Sequence, residues 1–226
     1  MKKQETKKDK DRQKMLSKIF VVFILISCVI GFSLTASFFN IFKTAEQGNY
    51  VIVDYTLNFE EGIPIISSSQ SVVQDAYQNG FPTALSGSLV LQAGVPQSEK
   101  IIPVEAYVYP DGMTEYALFD IELDTISNSV IGMHQGDVKK INFDFAQDLT
   151  DNMSSFAYNA IGGNFSQAQT GMLVPLAFNY YPDENGETSN NSVKLERPSV
   201  IIGKTDDALI LRYGYAVADI QLREIQ

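Results

Sequence analysis

Apolar and polar residues alternate most cleanly from Val51 to Phe59, where Val51, Val53 and Tyr55 share one face of a predicted strand. That strand runs into an acidic turn, Glu60-Glu61, closed by Gly62. Alternation also predicts strands over Ser88–Ala93 and Ile101–Val108, broken by a Gly94/Pro96 turn, and over Ala117–Leu123 after the Pro110-Asp111-Gly112 turn. Lys139–Phe145, Val200–Ile202, Ala208–Arg212 and Tyr215–Ile225 read as further strands. Asp124–Ile131 differs, because Ile126 and Val130 stand four apart and suit two helical turns facing a core. Asn, Ser, Gly and Asp crowd residues 148–169 and 182–191, which predicts loops. No repeat or heptad breaks the pattern. The prediction is an α+β body dominated by antiparallel sheet over one short helix.

Ahead of Tyr50 the pattern changes. Residues 1–18 carry eight Lys or Arg against Glu5, Asp9 and Asp11 and read as a basic cytoplasmic tail. Residues 19–42 contain no charge over 24 positions, and about 20 apolar residues suffice to cross a bilayer. The basic flank stays inside, which predicts a single-pass anchor at 19–42 in the cell membrane and an extracytoplasmic domain at 43–226. Two rivals exist. Thr35-Ala36-Ser37 would suit a signal-peptide cut, but the apolar run continues through Phe42. Leu25-Ile26-Ser27-Cys28 fits a lipoprotein signal, yet Val29 and Ile30 follow where polar residues are usual. The anchor is the reading that fits the whole stretch.

Of 27 acidic and 17 basic residues, three acids and nine bases precede Thr44, so the body holds 24 acids against eight bases, a net charge of −16. Such a surface repels nucleic acid and anionic headgroups, which excludes DNA or RNA as partners. Cys28 is the only cysteine and His134 the only histidine, so no thiolate or imidazole metal site can be assembled. Glu60-Glu61 and Asp206-Asp207 lack the spacing of a dedicated calcium loop. No G-x-S-x-G, H-E-x-x-H or P-loop pattern occurs.

Two motifs in order carry a resemblance. The first is Val51-Ile52-Val53-Asp54-Tyr55-Thr56-Leu57, and the second is Gly132-Met133-His134-Gln135-Gly136-Asp137 leading into Ile141. Together they resemble the FKBP-type peptidyl-prolyl isomerases, over Tyr50–Ser69, Phe119–Phe145 and Tyr215–Ile225. The resemblance implies a bent antiparallel sheet packed on one short helix, with insertions. The segment at about 146–210 falls where SlyD-like members carry a flap insert, although Tyr213-Gly214-Tyr215-Ala216-Val217-Ala218 replaces their signature before the last strand.

Rotation about an amide faces a barrier of about 18–20 kcal/mol, and X-Pro bonds exchange slowly. A prolyl isomerase needs no cofactor, metal or nucleophile. An apolar pocket takes the proline ring and a donor orients its carbonyl. The resemblance implies a pocket lined by Tyr55, by Ile65 and Ile66 in place of the family's Phe-Asp, and by Ile126 on its floor, with the Leu123 backbone N–H as donor. Ile66 removes a polar group and Ala218 an aromatic, so any activity is expected to be weak. Tyr77, Phe81, Tyr107, Tyr109 and Tyr116 could rebuild an aromatic wall. The expected function is therefore a membrane-anchored isomerase or folding helper for proline-containing or unfolded secreted and surface polypeptides. The alternative is a catalytically inactive FKBP-like binding or envelope-structural module. The orientation has a direct test: protease added to intact cells is expected to digest the body and spare residues 1–18, and protection of the body would reverse the assignment.

Overall fold

The alternation after Tyr50 becomes β1 (Tyr50–Asn58), whose Val51, Val53, Tyr55 and Leu57 are buried while the residues between them are partly exposed. The computed structural model describes Lys18, residues 20–28, 43–60, 62–181, 183–184, 187–188 and 192–226. The chain divides into two units, 1–43 and 44–226. In the first, Lys18 and residues 20–28 are helical and exposed. Among the described residues no helix is long and apolar enough to cross a membrane; residues 19 and 29–42 of the expected transmembrane helix lie outside the described residues.

After β1 the second unit continues through β2 (Pro64–Ser67), α1 (Gln70–Gln78), β3 (Ala84–Ser86), β4 (Leu89–Gln92), β5 (Ile101–Val108), β6 (Gly112–Phe119), α2 (Asp120–Ser129) and β7 (Val138–Asn142). Next come β8 (Thr150–Ser154), α3 (Ser155–Ala160), β9 (Leu173–Tyr180) and the short hairpin β10 (Asp183–Glu184) and β11 (Glu187–Thr188). The chain closes with β12 (Val193–Lys204), β13 (Ala208–Arg212) and β14 (Val217–Ile225). Twelve strands share one sheet in the order β7-β14-β1-β2-β3-β5-β6-β12-β13-β8, with β4 also on β1 and β9 also on β12. The sheet curls into a ten-strand half-barrel.

This architecture overturns the expected FKBP-like fold class, a bent antiparallel sheet on one short helix. Strand makes up 45% of the described residues, and two of the pairings, β2 with β3 and β6 with β12, are parallel. The segments expected as insertions supply the difference. Residues 70–115 add α1 and β3 to the sheet's middle, and residues 146–210 extend the same sheet through β8, β9, β12 and β13.

Local physics explains where individual boundaries moved. The predicted strand over Ala117–Leu123 breaks at Phe119, because the Phe119 N–H donates to Glu122 Oε2 at 2.9 Å and starts a helical turn. Asp120 and Glu122 also place negative charge at the helix N-terminus, where the dipole favours it. Residues 148–169, predicted as loops, contain β8, which pairs along its length with β13. Ser154 then caps α3 by accepting the Ala157 N–H at 3.1 Å.

Two apolar clusters hold the sheet. The larger joins the inward residues of β1 to Ile65, Ile66, Leu118, Leu123, Ile126, Val130, Tyr215 and Leu222. The smaller sits under β9, β12 and β13 around Val174, Ile201, Leu209 and Leu211. Each fully buried side chain of this size contributes about 1.5–3 kcal/mol.

Candidate functional site

The residues expected to line a proline pocket lie in the larger core. Ile65, Ile66 and Ile126 have no exposed surface, and Tyr55 and Leu123 keep only 2% of theirs. Ile66 pairs with Leu57 across the sheet and with Ala84 on the other side. Leu123 is the fourth residue of α2 rather than the rim of a cleft. The Tyr55 hydroxyl accepts a hydrogen bond from Ser86 Oγ at 2.8 Å. The structure thus brings these five residues together in one cluster, but as packing atoms without an opening for a ring. Tyr55 also borders a shallow depression of about 340 Å3, whose surround of Asp54, Thr56, Ser68, Lys139, Lys140 and Asp219 is mostly polar.

What closes the interior is a buried ion pair that sequence reasoning missed. Arg197 and Glu122 are both fully buried. Arg197 donates to Glu122 through Nη2 at 2.6 Å and Nη1 at 3.1 Å. Its remaining donors reach backbone carbonyls, Nη1 to Ala117 and Nε to Tyr213, each at 2.8 Å. The guanidinium lies between the rings of Phe119 and Tyr215, 4.0 Å from each centroid. Burial pulls the Arg197 pKa down, but Glu122 and the neighbouring tyrosines outweigh it and hold the value above the usual one. A signal existed in the sequence, since Arg197 follows Leu195 at the strand's inward parity. Nothing local named its partner, 75 residues away. Between Tyr213 and Tyr215, Gly214 cannot carry a side chain, because a Cβ there would overlap the Ala146 backbone.

Three tyrosines around this pair are held neutral. Burial pushes the Tyr55 phenol up to about 12, against the lowering hydrogen bond from Ser86 and with a further rise from the Glu122 charge. Burial likewise raises Tyr116, helped by Glu196. Tyr215 is raised by burial, opposed by Arg197.

Open, apolar surface lies instead at the β5–β6 hairpin. On one side α1 and the sheet frame a groove of about 380 Å3 lined by Gln70, Val73, Gln74, Tyr77, Leu85, Tyr107 and Tyr109. Tyr77 and Tyr109 meet edge to face with ring centroids 4.9 Å apart, a preferred aromatic geometry. On the other side a cleft of about 470 Å3 opens between the hairpin tip and β9 and β12, walled by Pro82, Val108, Met113, Tyr116, Leu173, Pro175 and Pro198. Asp111, Thr114 and Glu196 supply its polar groups. Both volumes fall in the range of about 300–1,000 Å3 usual for ligand sites. Tyr77, Phe81, Tyr107, Tyr109 and Met113 are all exposed. Of the five aromatics that could rebuild a wall, Tyr77, Tyr107 and Tyr109 line the groove and Tyr116 lines the cleft. Phe81 precedes Pro82 at the cleft edge. None of them joins Tyr55 in an open site. Among the described residues no group of His, Cys, Asp and Glu could hold a metal ion.

Compared with known proteins, the chain matches no protein-family model and no curated protein.

The tyrosine environment has a pH consequence. Tyr55, Tyr116 and Tyr215 all stand above the ordinary 10.0, so the folded chain holds these protons more tightly than the unfolded one. Their contribution to stability is complete below pH 10 and is lost as the pH climbs through the Tyr55 value of about 12. Alkaline denaturation followed by tyrosinate absorbance is expected to release these three of the eleven tyrosines only as the fold opens. The Tyr215 hydroxyl has no hydrogen-bond partner among the described residues. Tyr215→Phe is therefore expected to leave stability at neutral pH unchanged or raised and to shift the alkaline midpoint upward. Ionisation of all eleven near pH 10 in a folded protein would contradict the assignment.

Proposed function

We propose that the 44–226 body is a non-catalytic polypeptide-binding module that holds an extended, proline- or aromatic-containing segment across the β5–β6 hairpin. The observation that carries this reading is the contrast between two surfaces. Tyr77, Tyr107, Tyr109 and Met113 are exposed around two depressions, whereas Tyr55, Ile65, Ile66, Leu123 and Ile126 are sealed in the core. Apolar surface of this kind gains about 25 cal/mol for each Å2 removed from water. Tyrosine is suited to the task because its flat ring loses little conformational freedom and its hydroxyl tolerates a wet rim. A twisted imide, by contrast, needs a desolvated pocket, and the interior beneath β1 is filled by side chains of the chain itself.

The site supports a folding helper or surface-polypeptide binder more than a prolyl isomerase. The location outside the membrane is proposed on charge alone: a basic 1–18 segment precedes a body of net charge −16.

Binding of a Phe-Pro-containing peptide to the full-length protein, followed by fluorescence anisotropy, tests the reading. Tyr77→Ala and Tyr109→Ala are each expected to weaken it by about tenfold, the size of a modest hot spot. A protease-coupled isomerase assay on the same preparation is expected to show no acceleration. Turnover that survives Tyr77→Ala but disappears on Tyr55→Phe would assign function to the interior instead.

A further inference from the structure

The rim of the two depressions has a charge as well as a shape. Among the described residues no Lys or Arg lines the groove or the cleft, while Asp111 and Glu196 line the cleft. On the hairpin, Glu105 and Glu115 stand directly opposite one another, two pairs along from Tyr107 and Met113. Parity puts these four side chains on one face of the hairpin. Like charges directly opposite weaken a sheet, and among the described residues neither carboxylate has a hydrogen-bond or ion-pair partner that would relieve it.

Six of the body's eight bases are engaged away from the hairpin, Lys140 borders the polar depression beside Tyr55, and Lys194 lies exposed on β12 two residues before Glu196. Lys100 pairs with Asp120, Arg212 with Glu60 and Arg197 with Glu122. Lys139 and Lys204 donate to backbone carbonyls, and Arg223 reaches Ser88 Oγ. The exposed tyrosine faces add a second attraction for cations, because an aromatic ring draws a guanidinium or ammonium over its face. A second copy of the chain is a poor occupant, since each body carries a net charge of −16.

From the apolar lining, the unrelieved carboxylates and the open tyrosine faces, we infer that the segment bound at the hairpin is cationic: an extended polypeptide in which Lys or Arg flanks the proline or aromatic residues. This rests on the polypeptide-binding reading above and names the chemistry of its ligand. The apolar residues fill the groove and cleft, and the flanking bases meet Glu105, Glu115, Asp111 and Glu196 or stack on Tyr107 and Tyr109. Charge of this kind chiefly sets specificity and encounter rate. It also makes recognition salt-dependent, because exposed charges are screened beyond about 10 Å at 0.1 M ionic strength.

Three peptides with one Phe-Pro-Tyr centre, flanked by Lys, Gln or Glu, separate the claims when titrated into the full-length protein. At low salt the Lys-flanked peptide is expected to bind about five- to tenfold more tightly than the Gln-flanked one, and the Glu-flanked one more weakly than either. Raising the salt is expected to collapse that ladder in the unaltered protein. The E105Q/E115Q variant is expected to shrink the Lys-to-Gln ratio as well, and the salt series keeps the test valid should that variant fold poorly. Equal affinity for all three peptides would overturn the inference while leaving the groove as a binding site. Failure of every peptide to bind would overturn both.

Discussion

The Arg197–Glu122 pair is the constraint on which the rest of the body depends. Two ions without exposed surface cannot be left uncompensated, and here the compensation is specific. Both carboxylate oxygens accept from the guanidinium, one of them also takes the Phe119 N–H, and two backbone carbonyls and two aromatic faces complete the surround. The atoms come from the β6–α2 junction, from β12 and from the Tyr213–Tyr215 turn. β6 and β12 meet through a single parallel residue pair, Tyr116 with Glu196. The ion pair next to that contact therefore does what a longer ladder of backbone hydrogen bonds would otherwise do. It fastens β12, and through it β9, β13 and β8, to β6 and closes the interior between them.

A closed interior moves function to the edge. With Tyr215, Phe59 and Arg197 packed beside α2, the space beneath β1 has no room for a ligand. The β5–β6 hairpin carries Tyr107, Tyr109 and Met113 exposed, with Tyr107 and Tyr109 lining the groove and Met113 and Thr114 lining the cleft. Rigidity and exposure are thus divided between neighbouring parts of one sheet. The buried pair anchors the base of β6 at Ala117 and Phe119, and the same strand presents Met113 at its free end.

The parts of this arrangement that were legible in the sequence are those with short-range periodicity. Val51, Val53 and Tyr55 alternate because one sheet face meets a core, and Ile126 and Val130 repeat at helical spacing because α2 faces the same core. The β5 and β14 strands followed from the same signal. Elsewhere, residue-level pattern was ambiguous or misleading. Ala117 to Leu123 alternates well enough for a strand, and only the Glu122 side chain, turned back onto Phe119 and across to Arg197, decides for a helix. β8 has few apolar residues, so its pairing with β13 is invisible until the partner strand is in place. The FKBP-like motifs located real turns and strands but misled on architecture, since a motif of a dozen residues does not report parallel crossovers formed by segments it omits. The candidate site was legible only as a stock of tyrosines. Which of them are exposed depends on long-range folding.

A double-mutant cycle on the pair, read by urea unfolding of residues 44–226, tests the account most directly. Arg197→Met and Glu122→Leu each leave a buried partner without its counter-charge, and each is expected to destabilise by about 3–5 kcal/mol. The double variant, with both charges gone, is expected to recover most of that loss, because apolar side chains of similar volume can fill the same space. If either single variant unfolds within about 0.5 kcal/mol of the parent, as surface substitutions do, the pair does not hold the sheet together and the account of a closed interior is wrong.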